Sequence, residues 1–212
     1  MNYYKTEQES FWAGKFGNKY ITRNKQKEIV ASNIHLFSNV MKRTQGVKSV
    51  IEFGANIGLN LIAIKSILPN IEISGVEINN EAFKDLIQLC GKKNAHHSSI
   101  FDFKIDRKRS LSLSKGLLIH IKPDYLNKAY ELLYLSSDKY ICLAEYYNPT
   151  PIMIPYRGFN DRLFKRDFAG EMLDKYKDLK LVDYGFVYHR DNNYPQDDIT
   201  WFLLKKVKHN NE

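Results

Sequence analysis

The feature that most limits how this chain can fold lies between residues 47 and 145, where strand patterns and helix patterns alternate without interruption. "VKSVIEFG" is an apolar strand pattern, and "GLNLIAIKSIL" after it spaces its apolar residues as a helix does and stops at Pro69. "IEISGVEI" and "NEAFKDLIQLC" repeat the pair. "HHSSIFDF" supplies a short third strand with its exit loop, and "SLSLSKGLLIHI" a fourth strand followed by a turn. "YLNKAYELLYLSS" is a further helix and "KYICLAEYY" a fifth strand. Strands that alternate with helices pair in parallel, and right-handed crossovers then cover both faces of the sheet.

The ending breaks this rhythm. "LKLVDYGFVYHR" and "DDITWFLLKK" are strand patterns joined by a short Asn- and Pro-containing loop, which predicts an antiparallel hairpin. The expected fold is therefore α/β and Rossmann-like: a mostly parallel seven-stranded sheet with an antiparallel C-terminal hairpin strand. Residues 148–179 are too long for a plain crossover and are expected to build the substrate side. The aromatic-rich residues 1–24 place Trp12, Phe16 and Tyr20 at helical spacing, followed by Arg23 and Asn24. They are expected to form a lid, or alternatively to pack on the sheet edge. A helix is predicted from about Lys25 to Met41.

At 212 residues the chain fits one domain, 1–212, with a core that needs neither metal nor disulfide. No apolar run approaches the roughly 20 residues that span a bilayer, and the N-terminus lacks the pattern of a secretory signal. A cytoplasmic protein with no membrane partner is expected. Cys90 and Cys142 sit in apolar patterns and read as reduced and buried. The histidines show no ligand spacing, so no metal is expected. The net charge of +8 suits anionic small substrates as well as nucleic acid.

In open α/β sheets ligands bind beyond the carboxyl ends of the strands, so the first strand exit, "EFGANIG", is the place to look. Gly54 and Gly58 let backbone approach a ligand and the next helix. Ala55 and Asn56 lie between them, and Asn is among the few residues besides glycine that tolerate positive φ. The acid Glu52 before the turn suits a cationic sulfonium or amino group better than a phosphate. Glu77 ends the second strand about 20 residues further on, where an acid can accept both hydroxyls of a ribose, and Ile78 follows it. At the third strand exit Ser99, Ile100 and Asp102 are candidates for adenine contact, with loop capping the alternative for Asp102. Lys115 stands at the fourth exit. A dinucleotide is the main competitor, but the G-x-x-x-G spacing lacks the glycine that brings backbone against a pyrophosphate. S-adenosyl-L-methionine, which has no phosphate, is the expected cofactor. A turn that binds nothing leaves Glu77 without a role.

The chain resembles class I S-adenosylmethionine-dependent methyltransferases. More narrowly it is similar to the pseudaminic acid biosynthesis-associated methyltransferase family. The strings that carry the likeness run nearly the whole length: "EQESFWAGKFGNKYITRN", "EFGANIGLN", "GVEIN", "KGLLIHI", "AEYYNPTP", "YRG", "LFKRDFAGEM" and "LVDYGFVYHRD". The resemblance implies methyl transfer in bacterial surface-glycan biosynthesis, in flagellar-sugar or capsule loci, including those that make O-methyl phosphoramidate. It implies the reaction class better than the acceptor. Asn56 is the ordinary residue of the "GANIG" string in that family.

Methyl transfer needs the acceptor atom in line with the methyl group, water excluded and, for a hydroxyl, a base. His120 is a candidate base, with a packing role as its alternative. Glu145 and Tyr146 follow the fifth strand as candidate catalytic groups, with Tyr147 and Asn148 on the substrate side. Arg157, Arg162, Lys165 and Arg166 in the insertion, with His189 at the hairpin turn, are candidates to bind an anionic small-molecule acceptor, such as a nucleotide-activated acidic sugar or a phosphoramidate. Asp–Arg pairing on a solvated face is the alternative. An RNA methyltransferase is permitted by the charge, but no appended RNA-binding module and no catalytic Cys motif is present. A non-catalytic cofactor-binding protein is the third reading. The sequence does not fix the oligomeric state.

Overall fold

The protein is described by a computed structural model over residues 4–23 and 27–207, without the side chains of Thr22, Arg23, Lys27 and Asn160. Asn24, Lys25 and the Arg23 side chain, named above, lie outside the described residues. Three helices lead in: α1 (Glu7–Ala13), α2 (Lys15–Arg23) and α3 (Lys27–Met41). The alternation follows as β1 (Ser49–Phe53), α4 (Leu59–Ile67), β2 (Glu72–Glu77), α5 (Asn80–Cys90), β3 (Ala95–His97), β4 (Arg109–Lys115), a 3₁₀ turn (Leu118–His120), α6 (Pro123–Leu135) and β5 (Ser137–Glu145). The insertion carries β6 (Ile152–Tyr156), β7 (Phe159–Lys165) and α7 (Phe168–Lys175), and the chain closes with β8 (Leu179–Val187) and β9 (Ile199–Lys206).

The seven-stranded sheet has the order β3-β2-β1-β4-β5-β9-β8. β1 to β5 run parallel, and β9 enters antiparallel between β5 and β8. The expected sheet and terminal hairpin are both present. Strand order turns around between β1 and β4, which puts the crevice for a ligand at their carboxyl ends. The central strands are buried on both faces, as continuous apolar runs require. One face packs Leu36, Phe37, Val40, Leu61 and Ile64 from α3 and α4. The other packs Leu126, Leu133, Phe168 and Met172 from α6 and α7.

Local signals set the element ends. Asn79 caps α5, its Oδ1 accepting from the Glu81 and Ala82 amides at 2.9 and 3.1 Å. Pro123 opens α6 within its first two positions. β3 is shorter and earlier than "HHSSIFDF" predicts, because the amides of Asp102 and Phe103 turn back onto the Ser99 carbonyl. The insertion holds a separate two-stranded sheet, β6–β7. Among the described residues no helix is long and apolar enough to cross a membrane.

Candidate functional site

A cavity of about 590 Å³ opens at the carboxyl ends of β1, β2, β3, β4 and β5. It is floored by the strand exits and roofed by α1–α2, the β6–β7 hairpin and the loop before β9. Its volume lies within the range of small-molecule sites, roughly 300–1,000 Å³.

The first two strand exits are tied together by Glu77. Its carboxylate accepts from the Asn56 amide and the Asn79 amide, each at 2.7 Å, while the Gly54 and Ala55 amides donate to the Val76 carbonyl. Burial raises the Glu77 pKa, opposed by those backbone donors. Gly54, Asn56 and Gly58 all have positive φ, of 70°, 50° and 82°, so Asn56 adopts the conformation its amide tolerates. A side chain at Gly58 would strike Leu89 of α5, so this glycine serves helix packing and does not line the cavity.

Ser99 and Ile100 line the cavity beside Phe101, and the Ser99 hydroxyl donates to Glu9 of α1. Asp102 does not line it: its half-exposed carboxylate pairs with Lys5, a correction to its place at the adenine edge. Glu52 is also displaced. It is fully buried, stays off the cavity, and accepts from the side-chain Nδ2 of Asn60 at 2.6 Å, so Asn60 stands at the wall in its place. Burial pushes Glu52 up to about 8 and lowers the Lys115 pKa, with the charges of Glu52 and Asp197 opposing the latter shift.

Unpartnered polar atoms cluster around this cavity. Gln8 Oε1, Asn33 Oδ1, Asn56 Oδ1 and Asn60 Oδ1 are buried with no hydrogen-bond partner among the described residues, and Gln196 leaves both amide atoms unpartnered. Most are carbonyl oxygens, so the walls offer acceptors to a ligand rich in N–H, O–H and positive charge.

Beyond Lys115, the chain turns through Gly116 into the 3₁₀ turn that carries His120. Glu145 holds this turn. Its buried carboxyl accepts from Ser114 Oγ at 2.6 Å and from the amides of Leu117, Leu118 and Ile119, and burial pushes it up to about 7. It does not reach the cavity, which corrects its candidacy as a reacting group. Tyr146 does line it, with its hydroxyl bonded to Asp197.

His120 lines the cavity between two rings, Trp12 at 4.7 Å and Tyr156 at 5.2 Å between centroids. Its Nδ1 donates to the Arg162 carbonyl at 2.7 Å, which leaves Nε2 as the acceptor nitrogen. Burial lowers its pKa to about 4, so the ring is neutral near pH 7.

The expected cationic cluster divides. Arg162 pairs with Glu7 at 3.0 Å and with Asp161 at 2.7 Å, Arg166 donates to Glu171 at 2.5 Å, and Lys165 lies over the Tyr146 ring at 5.1 Å. None of the three lines the cavity. Arg157 does, and no carboxylate partners it among the described residues. It sits with Gly158 in the two-residue turn between Tyr156 and Phe159, both at positive φ, 50° and 86°. Asn or Gly is the usual first residue of such a turn, and Arg there costs about 1 kcal/mol or more.

Tyr147 is exposed, Asn148 donates to the Thr150 carbonyl, and His189 pairs with Asp198; all three stay off the cavity. The walls include groups that strand-exit reasoning missed: Gln8 and Glu9 of α1, Ser32 and Asn33 of α3, and Gln196 and Asp197 of the β8–β9 loop. The capping box Thr6–Glu9 was the one local signal available for them.

Compared by sequence, the chain matches no family model and no curated protein. Its fold is similar to solved structures. A Burkholderia thailandensis 1,6-didemethyltoxoflavin-N1-methyltransferase with bound S-adenosylhomocysteine superposes with a TM-score of 0.69 at 12% identity, over 94% of this chain and 87% of that one. A sugar N-methyltransferase from a Streptoalloteichus species gives 0.64 at 12%, over 92% and 94%. Magnesium protoporphyrin IX methyltransferase from Synechocystis, with bound S-adenosylmethionine, gives 0.62 at 12%, over 98% and 100%. Strand order, antiparallel hairpin and these superpositions together establish that the chain has the fold of S-adenosylmethionine-dependent class I methyltransferases.

Proposed function

We propose that the protein is a cytoplasmic S-adenosyl-L-methionine-dependent methyltransferase acting on an acidic or phosphorylated small molecule. The observation that carries this reading is the set of unpartnered oxygens around the cavity, at Gln8, Asn33, Asn56, Asn60 and Gln196. The cofactor brings complementary groups: an ammonium, a sulfonium, two ribose hydroxyls and an adenine amine. Bound, it supplies an electrophilic methyl group on positively charged sulfur.

Glu77 would hold the ribose, with Ile78 beside it. Ser99, Ile100 and Phe101 would hold the adenine, and the turn Gly54–Asn56 with Lys115 and Asn60 the amino-acid end. Of the N-terminal segment, the described helices α1 and α2 act as a lid, and residues 148–179 form the acceptor side. His120, Tyr146 and Arg157 face the acceptor and, with Trp12, exclude water from it. The resemblance in sequence supports surface-glycan biosynthesis as the setting, with a nucleotide-activated acidic sugar or a phosphoramidate as acceptor.

The test is incubation with methyl-labelled cofactor and a panel of nucleotide-activated acidic sugars, phosphoramidate intermediates and bulk RNA, with the label located by mass spectrometry. Label on a sugar or phosphoramidate is expected. Label on RNA alone would replace this reading with a nucleic-acid methyltransferase.

A further inference from the structure

We infer that the acceptor carries two separate groups: an acidic group that binds Arg157 at the cavity mouth, and a neutral hydroxyl or amine that meets His120 Nε2 and receives the methyl. This rests on the methyltransferase reading above and names which part of an acidic acceptor reacts.

The two cavity-lining groups differ in burial and in partners. Arg157 is exposed at the rim, its guanidinium 5.5 Å from the Tyr156 ring centroid. Arg162 and Arg166 of the same insertion are neutralised by Glu7, Asp161 and Glu171, whereas Arg157 is left for a ligand. Its left-handed backbone is a second, independent sign. An arginine stands where Asn or Gly suits the left-handed backbone better, and backbone strain of this kind clusters at functional positions.

His120 is buried and fixed on three sides, by the Trp12 ring, the Tyr156 ring and the Arg162 carbonyl. That carbonyl accepts only from a protonated Nδ1, so the lone pair sits on Nε2. An acceptor oxygen that is already anionic would have no use for a nitrogen lone pair and would be repelled by it. A hydroxyl or amine donates to it. With the cofactor bound, the acceptor's lone pair would form the new bond to the methyl carbon, and the electrons of the broken carbon–sulfur bond would remain on the neutral thioether. The acceptor's proton passes to Nε2 and from there to water.

Charge would be conserved inside the cavity, because His120 would gain a positive charge as a bound cofactor gave up its own. This offsets the burial that otherwise disfavours a charged His120. The acceptor's own acid, seated on Arg157, cancels the charge of that guanidinium, while Lys122, the cation next along the chain from His120, pairs with Asp161. Methylation of the acid itself would remove the charge that Arg157 holds, leaving the guanidinium unpaired.

The test uses the full chain, first shown to bind S-adenosylhomocysteine by calorimetry. Failure at that step falls on the methyltransferase reading rather than on this inference. Methyl transfer is then followed to two matched pairs, D-glucuronate with D-glucose and 4-hydroxybenzoate with 4-hydroxybenzamide, one sugar and one aromatic. The acid of a pair is expected to exceed its neutral partner about tenfold or more in kcat/KM, with an alkali-stable methyl on its hydroxyl.

Arg157→Asn is expected to abolish that preference through KM while raising Tm by about 2 °C, since Asn suits the turn. His120→Asn keeps a donor to the Arg162 carbonyl and removes the base. It is expected to bind S-adenosylhomocysteine as the parent does and to lose turnover about 100-fold or more. His120→Gln serves if that variant does not fold. Alkali-labile methyl ester as the product, equal rates within both pairs, no transfer to any of the four, or unchanged turnover in the folded His120 variant would each overturn the inference.

Discussion

The two ends of the cavity are built differently. The end assigned to the cofactor is made of strand exits, where Glu77 binds two backbone amides within a span of 24 residues. The end assigned to the acceptor joins α1, the 3₁₀ turn, the β6–β7 hairpin and the β8–β9 loop, which are distant in sequence and meet through side chains. The first is fixed by the sheet itself. The second is fixed by contacts that a single substitution can loosen, so changes of similar burial should act on different properties at the two ends.

The largest effect is expected where the ends join, at Glu145. Glu145→Ala leaves three amides, two of them buried, and Ser114 Oγ without their acceptor, and should cost about 3 kcal/mol in chemical denaturation. Intact stability with lost turnover would make Glu145 a reacting group after all, and would erase the division drawn here.

A somewhat smaller effect is expected of Glu52. Its folded pKa, about 8, lies above its ordinary 4.5. The stability it contributes is therefore present in full below about pH 4.5 and lost as pH rises toward about 8. Glu52→Gln should remove this loss and flatten the fall in Tm between pH 6 and pH 9, an effect on the order of 2–3 kcal/mol. An unchanged profile would mean that the carboxyl is not held neutral.

Gly58→Ala should cost about 2 kcal/mol, because its Cβ would lie 2.4 Å from Leu89 Cδ2 at a φ of 82°. Cofactor affinity, measured in the folded fraction, should change much less than stability. The smallest effect sharpens the contrast within the insertion. Arg166→Ala should lower stability by under about 1 kcal/mol and leave acceptor KM unchanged, where Arg157→Asn does the reverse on both counts.

Much of the geometry at the end assigned to the cofactor was legible in the sequence. Gly54, Asn56 and Glu77 announce themselves because the chemistry of a strand exit is written in consecutive residues, and positive φ at Asn56 follows from its side chain. Alternation of strand and helix patterns, with the hairpin at the end, was enough for a mostly parallel sheet with an antiparallel edge, though not for its strand order. Less was legible where a charged residue has a choice of partner. Nothing local distinguishes Glu145, which binds amides inside the 3₁₀ turn, from an acid that faces substrate. Nor does sequence separate Arg157 from Arg162 and Arg166, because the carboxylates that neutralise the latter two include Glu7, over 150 residues away, and Glu171 on the next helix. "YRGF" did carry a turn signal in Gly158, but Arg in the preceding position masked it. Gln196 and Asp197 were hidden for a different reason: a loop that folds back onto the first strand exits leaves no periodicity to read.

The central claim is that the strand exits hold S-adenosyl-L-methionine through Glu77. Calorimetric titration of the full chain and of Glu77→Ala with S-adenosylhomocysteine tests it most directly. The account predicts one site per chain in the parent and affinity at least about 100-fold weaker in the folded variant. No binding to the parent, or equal affinity in the two proteins, would contradict it.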